Sequence, residues 1–133
     1  MTPTPFRFSI RIYWEDTDAG GVVFYANYLK FFERARTEWL RSRGVDQQAL
    51  RDATGAIFVV SDTAVRYLRP ARLDDQLQVT VEALHIGPAS MRFAQQAWRG
   101  DELLAEGTIR AGCVDAGTFR PRRLPTDILR AIA

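Results

Sequence analysis

The chain has 133 residues, which is typical of one domain, and we expect a single domain over residues 1–133. Apolar residues make up 47% and charged residues 26%, which excludes a disordered chain, a collagen-like chain and a coiled coil. One cysteine, Cys113, cannot form an internal disulfide, and one cysteine with one histidine exclude the common Cys/His zinc patterns, so we expect no metal. No apolar run is long enough to span a membrane, and the N-terminus lacks the pattern of a signal peptide. We therefore expect a cytoplasmic protein.

The net charge of +2 is weak evidence for a polyanionic partner. Basic residues do cluster near the end of the chain, where Asp127 is the only acid among Arg120, Arg122, Arg123 and Arg130. A cluster this small fits a phosphate-bearing small ligand better than a nucleic-acid duplex, which needs a broad basic face. We therefore expect no nucleic-acid partner.

A change of apolar period divides the first third of the chain. Apolar and polar residues alternate over residues 6–14, which predicts a half-buried strand with Trp14 on its apolar side. The acids and glycines of residues 15–21 predict a loop. From Asn27 the period becomes helical, with Asn27 as N-cap and Gly44 just beyond the end. The apolar face comprises Tyr28, Phe31, Phe32, Ala35 and Trp39, widened by Leu29 and Leu40.

A second, shorter helix is predicted over residues 46–53, and only strands after it. The strands comprise residues 57–67, 76–83, 91–98 and 103–114, joined mostly by short turns. The fold class is therefore α+β, with one long helix covered by a curved antiparallel sheet of about five strands. Such a two-layer unit leaves a sheet edge exposed, and pairing with a second copy would cover it. We expect a homo-oligomer, at least a dimer.

The most unusual segment is YWEDTDAGGVVFYANY, over residues 13–28. Three acids, Glu15, Asp16 and Asp18, lie within four positions, followed by two glycines and the start of the helix. A carboxylate beside the free N–H groups of a helix N-terminus is the minimum equipment for acyl transfer or hydrolysis. The alternative interpretation is structural: the acids are solvated or cap the helix, and the glycines only form the turn.

The run EDTDAGGVVFYANYLKFFERARTEWLR resembles the signature of hotdog-fold acyl-CoA thioesterases of the 4-hydroxybenzoyl-CoA thioesterase class. Within that class it looks most like the branch associated with the bacterial Tol-Pal system. The resemblance continues through YLRPARLDD, SMRFAQQ, LLAEG and RPRRLP, and covers nearly the whole chain. It implies a hotdog fold, assembly as dimers or tetramers, an acyl-CoA substrate and no cofactor.

The resemblance also implies roles for individual residues. The family's catalytic carboxylate falls on Asp18, as nucleophile or as general base, and the backbone N–H that holds the thioester carbonyl falls on Tyr25. The Tol-Pal branch usually has His at that position, whereas the 4-hydroxybenzoyl-CoA enzyme has Tyr. The difference is harmless if the role belongs to the N–H, and alters substrate preference if the side chain orients the substrate.

Several further residues are candidates for substrate binding. Arg120, Arg122 and Arg123 can pair with CoA phosphates, the alternative being a solvated segment. Asn27 is a helix cap or a site residue, and Ser61 lines the acyl pocket or packs within a buried strand. His85, at a strand end, is expected to be structural or on the surface. Cys113 is expected to be a buried, inert thiol.

Two other functions fit the same residues. The first is a hotdog dehydratase or hydratase, whose chemistry calls for a histidine and an acid together, whereas His85 is far from Asp18 in the chain. The second is a non-catalytic scaffold that binds acyl-CoA or an acyl-carrier protein. The carboxylate of Asp18 argues against the scaffold, which would not need it. The choice between CoA and an acyl-carrier protein stays open from the sequence.

Overall fold

A computed structural model describes residues 4–133, so residues 1–3 of the expected domain lie outside the described part. The chain forms five strands, three helices and one short 3-10 helix, Trp14–Asp16. In chain order they are β1 Phe6–Arg11, α1 Asn27–Ser42, α2 Gln47–Thr54, β2 Ala56–Tyr67, β3 Gln76–Ile86, β4 Ser90–Arg99, β5 Glu102–Asp115 and α3 Thr126–Ile132. No helix among the described residues is long and apolar enough to cross a membrane.

All five strands join one antiparallel sheet in the order β1-β3-β4-β5-β2. Alternation decides which side chains face inward: Leu77, Val79 and Val81 of β3 are buried, and the residues between them are polar. β1 and β2 are the edges of the sheet. β2 is 12 residues long, pairs with β5 alone, and bulges between Val60 and Asp62. The predicted fold class, α+β with one antiparallel sheet, is confirmed.

Helix α1 lies over the sheet against β1, β3 and β4. Its predicted apolar face is confirmed, since Tyr28, Phe31, Phe32, Ala35 and Trp39 are all buried. Gly44 follows the helix with φ of 79°, a left-handed conformation that costs glycine little, as expected for the residue after a C-cap. The helix and sheet therefore enclose one apolar core.

Four details differ from the sequence predictions. β1 ends at Arg11, because the chain turns into the 3-10 helix, and Trp14 is 78% exposed instead of packing in the core. The N-cap of α1 is Ala26, not Asn27. Leu29 is 39% exposed and does not widen the buried face. Helix α3 was not predicted, and it buries Ile128 and Ile132, one turn apart.

Arg99, the last residue of β4, forms ion pairs with Asp75 in the loop between β2 and β3 and with Glu102 at the start of β5. Arg99 donates from Nη1 to Asp75 Oδ2 at 2.7 Å and to the carbonyl of Pro70 at 3.2 Å, and from Nη2 to Glu102 Oε1 at 2.5 Å. Burial alone would raise the pKa of Asp75, but the N–H of Arg72 and the guanidinium of Arg99 together lower it. The hydrogen bond from Arg99 likewise lowers the pKa of Glu102.

An Arg99→Met variant should therefore lose stability in a pH-dependent way. Carboxylates whose folded pKa is lowered contribute stability above their unfolded pKa of about 4, and this is lost as the pH falls through the folded pKa. At pH 7 we expect the variant to be destabilised by up to about 1 kcal/mol for the pair with Asp75, a value that allows for solvent screening. Urea unfolding at pH 7 and below pH 4 measures it, and a difference from wild type that does not shrink in acid would contradict it.

Candidate active site

The acid segment folds into a tight turn that presents Asp18. Thr17 forms an isolated antiparallel β-bridge with Val23, and the N–H of Asp18 donates to the carbonyl of Val22 at 2.9 Å. The N–H of Gly21 closes the turn on the carbonyl of Asp18 at 3.0 Å, and its φ of 78° favours glycine. Asp18 Oδ1 accepts from the N–H of Gly20 at 2.8 Å, and its side chain is exposed. Because one oxygen is oriented by the turn, the carboxylate is held at the surface with its other oxygen available.

Asp16 has a different role, since it joins the turn to helix α1. Its carboxylate is buried and accepts from the N–H of Tyr13 at 2.8 Å. Its carbonyl accepts from the N–H of Phe24 at 3.0 Å and from Nδ2 of Asn27 at 2.9 Å. Asn27 is thus a buried link between the acid segment and the first turn of α1, which neither of its predicted roles anticipated. The carboxylate of Asp16 therefore stabilises the fold, whereas that of Asp18, two residues later, is exposed to solvent.

A cleft of about 250 Å³ lies where the start of α1 meets the end of β2. Its walls are aromatic: the ring of Tyr67 lies 6.0 Å from that of Tyr25 and 5.5 Å from that of Tyr28, centroid to centroid. The residues lining it are Val23, Tyr25, Tyr28, Tyr67, Leu68, Arg69 and Pro70. Burial raises the pKa of Tyr28 and of Tyr67, so both phenols are protonated at neutral pH. The cleft offers apolar faces and phenolic donors, with Asp18 on the adjoining turn but not on its wall.

The backbone N–H of Tyr25 is available for a ligand. Among the described residues it donates to no backbone or side-chain acceptor, whereas the N–H groups of Asn27, Tyr28 and Leu29 each donate to the carbonyl three residues earlier. The N-terminus of a helix carries partial positive charge and uncommitted donors. An N–H in this position suits a polarised carbonyl oxygen or an oxyanion.

The segment pairing with the turn forms the opposite wall of the cleft. The N–H of Val23 donates to the carbonyl of Ala71 at 2.9 Å, and Val22 forms an isolated antiparallel β-bridge with Arg72. The N–H of Ala71 donates to the hydroxyl of Tyr28 at 3.3 Å. The same segment is held by Arg99 through the carbonyl of Pro70. Tyr67 had no predicted site role, although its aromatic ring at the end of a predicted strand, three residues before Pro70, was the available signal.

The other predicted substrate-binding residues lie away from this cleft. Ser61 is exposed at the bulge of β2, so it is not packed in a buried strand, and its hydroxyl accepts from Nη1 of Arg110 at 2.9 Å. Arg122 donates to the carbonyl of Thr54 at 2.7 Å and so ties the end of α2. Arg120 and Arg123 are exposed in the same stretch, which follows β5.

Within one chain these arginines sit at the wrong end of β2 for the cleft. They flank the start of β2, where Ala56 pairs with Asp115, while the cleft is at its other end, Tyr67. Twelve residues of strand separate the two ends by about 35 Å. His85 is exposed on β3, and Cys113 is buried, with a pKa that desolvation raises. Both were predicted so.

Comparison with known proteins identifies the family to which this fold belongs. Residues 12–132 match the thioesterase-like superfamily. The chain is 42% identical over 131 residues to an acyl-CoA thioesterase, YbgC, of Haemophilus influenzae, covering 98% of this chain and 96% of the relative. It is 45% identical over 130 residues to the acyl-CoA thioester hydrolase YbgC of Escherichia coli O6:H1, covering 97% and 96%.

Solved structures give the same result. A probable thioesterase from Bartonella henselae superimposes with a TM-score of 0.86 at 31% identity, covering 92% of this chain and all of that one. The match includes both the helix-on-sheet arrangement and nearly the full length of the chain. The chain therefore belongs to the thioesterase-like superfamily, and its five-stranded sheet around α1 is the hotdog fold.

Proposed function

We propose that this thioesterase hydrolyses acyl-CoA to a free acid and CoA, with the Tyr25 N–H as oxyanion donor and Asp18 as the catalytic carboxylate. The uncommitted N–H of Tyr25 at the mouth of an aromatic cleft carries the proposal. The exposed carboxylate of Asp18, on the turn that leads into Tyr25, supplies the second group. The named activity of the relatives at 42% and 45% identity supports the same substrate class.

Two routes use these groups. In the first, Asp18 attacks the thioester carbon, the C–S bond breaks, the CoA thiolate takes up a proton, and water then cleaves the mixed anhydride. In the second, Asp18 takes a proton from a water molecule as that water attacks the carbon directly. The N–H of Tyr25 stabilises the oxyanion in both. A single turnover in oxygen-18 water tests them, because label enters the Asp18 carboxylate only when water cleaves an anhydride at the Asp18 carbonyl, whereas direct attack by water labels the product acid alone.

Release of free thiol from a panel of thioesters tests the function. The panel contains short, medium and long acyl-CoAs, benzoyl-CoA, 4-hydroxybenzoyl-CoA, and the same acyl groups on an acyl-carrier protein. Turnover of any acyl-CoA supports the proposal, and the panel identifies the acyl class. Turnover of the carrier-protein thioesters alone would show that the substrate is carried by an acyl-carrier protein and not by CoA. Binding of CoA thioesters with no hydrolysis would instead support the scaffold. Hydration of an enoyl-CoA, monitored by ultraviolet absorbance, would support the hydratase.

We further propose that the working enzyme is a homo-oligomer formed at the free edge of β2. That edge has no partner strand among the described residues, and Val60, Tyr67 and Leu68 are 50%, 45% and 41% exposed there. Two β2 strands paired antiparallel would place the start of one beside the end of the other. Arg120 and Arg123 of one subunit would then lie near the cleft of the second, where they suit CoA phosphates. The cytoplasmic location and the Tol-Pal association stay predictions.

Mixing two inactive variants tests this shared site. We expect Asp18→Asn and the double variant Arg120→Ala/Arg123→Ala each to lose activity on acyl-CoA. If each site takes its carboxylate and its arginines from different subunits, mixed dimers have one intact site. Co-refolded equal mixtures should regain about a quarter of wild-type activity, since about half of the dimers are mixed. No recovery in mixtures shown to contain mixed dimers would place both groups in one subunit.

A further inference from the structure

A second cavity, of about 140 Å³, lies between α1 and the sheet on the side of β2. Its walls are mostly apolar and come from α1, the start of α2, β2, β4 and β5. The lining includes Leu40, Phe58, Val59, Val60, Met91, Phe93 and Ala111. The charged exceptions are Glu33 and Arg36, both on α1. A cationic side chain in such a place needs an explanation, because desolvating a charge is costly unless a partner compensates for it.

Within the described residues the guanidinium of Arg36 forms no ion pair, and the negative charge of Glu33 acts on it only from a distance. Its guanidinium is partly buried and makes one hydrogen bond among the described residues, from Nη1 to Gln95 Oε1 at 2.9 Å. No carboxylate of residues 4–133 lies within ion-pair distance of it, and the carboxylate of Glu33 accepts from the hydroxyl of Thr37 instead. Burial lowers the pKa of Arg36, although the side chain stays charged at neutral pH.

The remaining donors of Arg36 face accessible space. No fully buried side-chain nitrogen or oxygen of the described residues lacks a hydrogen-bond partner. Nε and Nη2 of Arg36 have no partner, so they are not sealed in the core, and Arg36 lines the cavity. Two donors of a fixed fork are therefore presented to an apolar cavity, a geometry that suits an oxygen acceptor.

Gln95 fixes the orientation of that fork. Gln95 is completely buried, and its Nε2 donates to the carbonyl of Phe32 at 3.0 Å and to that of Thr80 at 3.3 Å. These two bonds leave Oε1 as the acceptor for Arg36, since the amide nitrogen is already committed. The guanidinium is thus held by the sheet instead of swinging freely on its long stem, which lowers the entropy cost of binding a ligand.

This cavity and the Tyr25 cleft both lie between α1 and β2, toward opposite ends of the two elements. Leu29, Glu33, Arg36 and Leu40 follow one another at spacings of four, three and four residues, so they share one face of α1. β2 accompanies that face from Tyr67 in the cleft to Phe58 in the cavity. Arg36 lies about 14 Å along the helix from Asn27, and helical side chains slope back toward the N-terminus. An acyl group whose thioester is at Tyr25 and which extends along this face of α1 would reach toward Arg36.

We propose that Arg36 is a specificity residue that binds an oxygen at the far end of the acyl group, so that the enzyme prefers ω-oxygenated acyl-CoAs to methyl-ended ones of equal length. This rests on the acyl-CoA function proposed above. The fork of Nε and Nη2 donates to the distal carboxylate, hydroxyl or carbonyl oxygen, and the apolar walls take the carbon chain between.

Matched substrate pairs test the proposal. Octanoyl-CoA is compared with suberoyl-CoA, in which a carboxylate replaces the terminal methyl group, and with ω-hydroxyoctanoyl-CoA; hexanoyl-CoA and adipoyl-CoA form a shorter pair. Each is measured as kcat/KM on wild type, Arg36→Met and Arg36→Lys. Arg41→Met is the control, since Arg41 is on the same helix and its guanidinium donates to Glu38 at the surface. Thermal unfolding and native mass are recorded for every variant.

Arg36→Met should lower the ratio of ω-oxygenated to methyl-ended kcat/KM by about tenfold or more, the range for hydrogen bonds to a charged group. Arg36→Lys should retain part of the ratio, and Arg41→Met should leave it unchanged. An equal loss on both members of a pair, or a change in oligomeric state alone, would show a structural role and overturn the proposal.

A binding measurement tests the role of Arg36 separately from the proposed hydrolase function. Non-hydrolysable thioether analogues of suberoyl-CoA and octanoyl-CoA are titrated into wild type and Arg36→Met by calorimetry. A preference for the carboxylate analogue that disappears in Arg36→Met supports Arg36 even where no thioester is hydrolysed, and then only the hydrolase function fails. Hydrolysis without any such preference overturns the role of Arg36 and leaves the function intact.

Discussion

The Asp18→Asn variant should lose about 10²-fold or more in kcat/KM on whichever acyl-CoA wild type hydrolyses best. The amide has neither the basicity to take a proton from water nor the nucleophilicity to attack the thioester. Asn can still accept the hydrogen bond from Gly20, and position 18 is exposed, so the fold should be unaffected. Thiol release under subsaturating substrate, together with thermal unfolding of both proteins, measures the effect.

The control for this prediction lies in the same segment. Glu15→Gln removes one negative charge three residues away, from an exposed side chain, and should change kcat/KM by about threefold or less. Comparing the two variants separates a specific role of Asp18 from a general loss of charge near the cleft. Wild-type activity in a folded Asp18→Asn protein would exclude Asp18 as nucleophile and as general base.

The Tyr25→Pro variant should lose about 10²- to 10³-fold in kcat, the usual effect of removing one oxyanion donor. Proline lacks the N–H that we assign to the developing oxyanion. Because that N–H donates to no other group of the described residues, the fold loses no hydrogen bond there. Proline is also tolerated around the first turn of a helix. Steady-state kinetics and a circular dichroism spectrum measure the two expectations.

Tyr25→Phe is the matched control, since it removes the hydroxyl and keeps the N–H and the ring. We expect its kcat to stay within about threefold of wild type, because the proposed role belongs to the N–H, which Tyr25→Phe retains. A large loss in Tyr25→Phe would assign the role to the hydroxyl, because that variant keeps the N–H. That result would also give a functional meaning to the His-to-Tyr difference from the Tol-Pal branch.

Regular periodicity explains what could be predicted from the sequence. Phe31, Phe32 and Trp39 repeat with the helical period because one face of α1 must cover the sheet, and all three are buried. Leu77 and Val79 alternate for the same reason on a strand. Such patterns are local, so the elements and their buried faces follow from the letters alone, and the acid motif could be noticed because it interrupts them.

Features that depend on distant contacts could not be predicted in this way. Asn27 is a residue type that is common at N-caps, yet its side chain donates to the carbonyl of Asp16, because the acid turn folds back over the start of the helix. Arg36 looks like one more charge on the polar side of a helix, and only the sheet shows that Gln95 holds it beside a cavity. Helix α3 has only two buried residues, Ile128 and Ile132, so its apolar pattern is too short to show a helical period.

The pairing of the strands has a consequence for the order in which the enzyme folds. β3, β4 and β5 follow one another as neighbours, whereas β1 and β2 pair with strands far away in the chain. Contacts between residues close in sequence form faster, since less chain entropy is lost in closing them. The acid turn continues from β1, and Tyr67 ends β2, so both sides of the cleft depend on the two late strands. We therefore expect catalytic competence to appear only in the last folding step, after most of the sheet has formed.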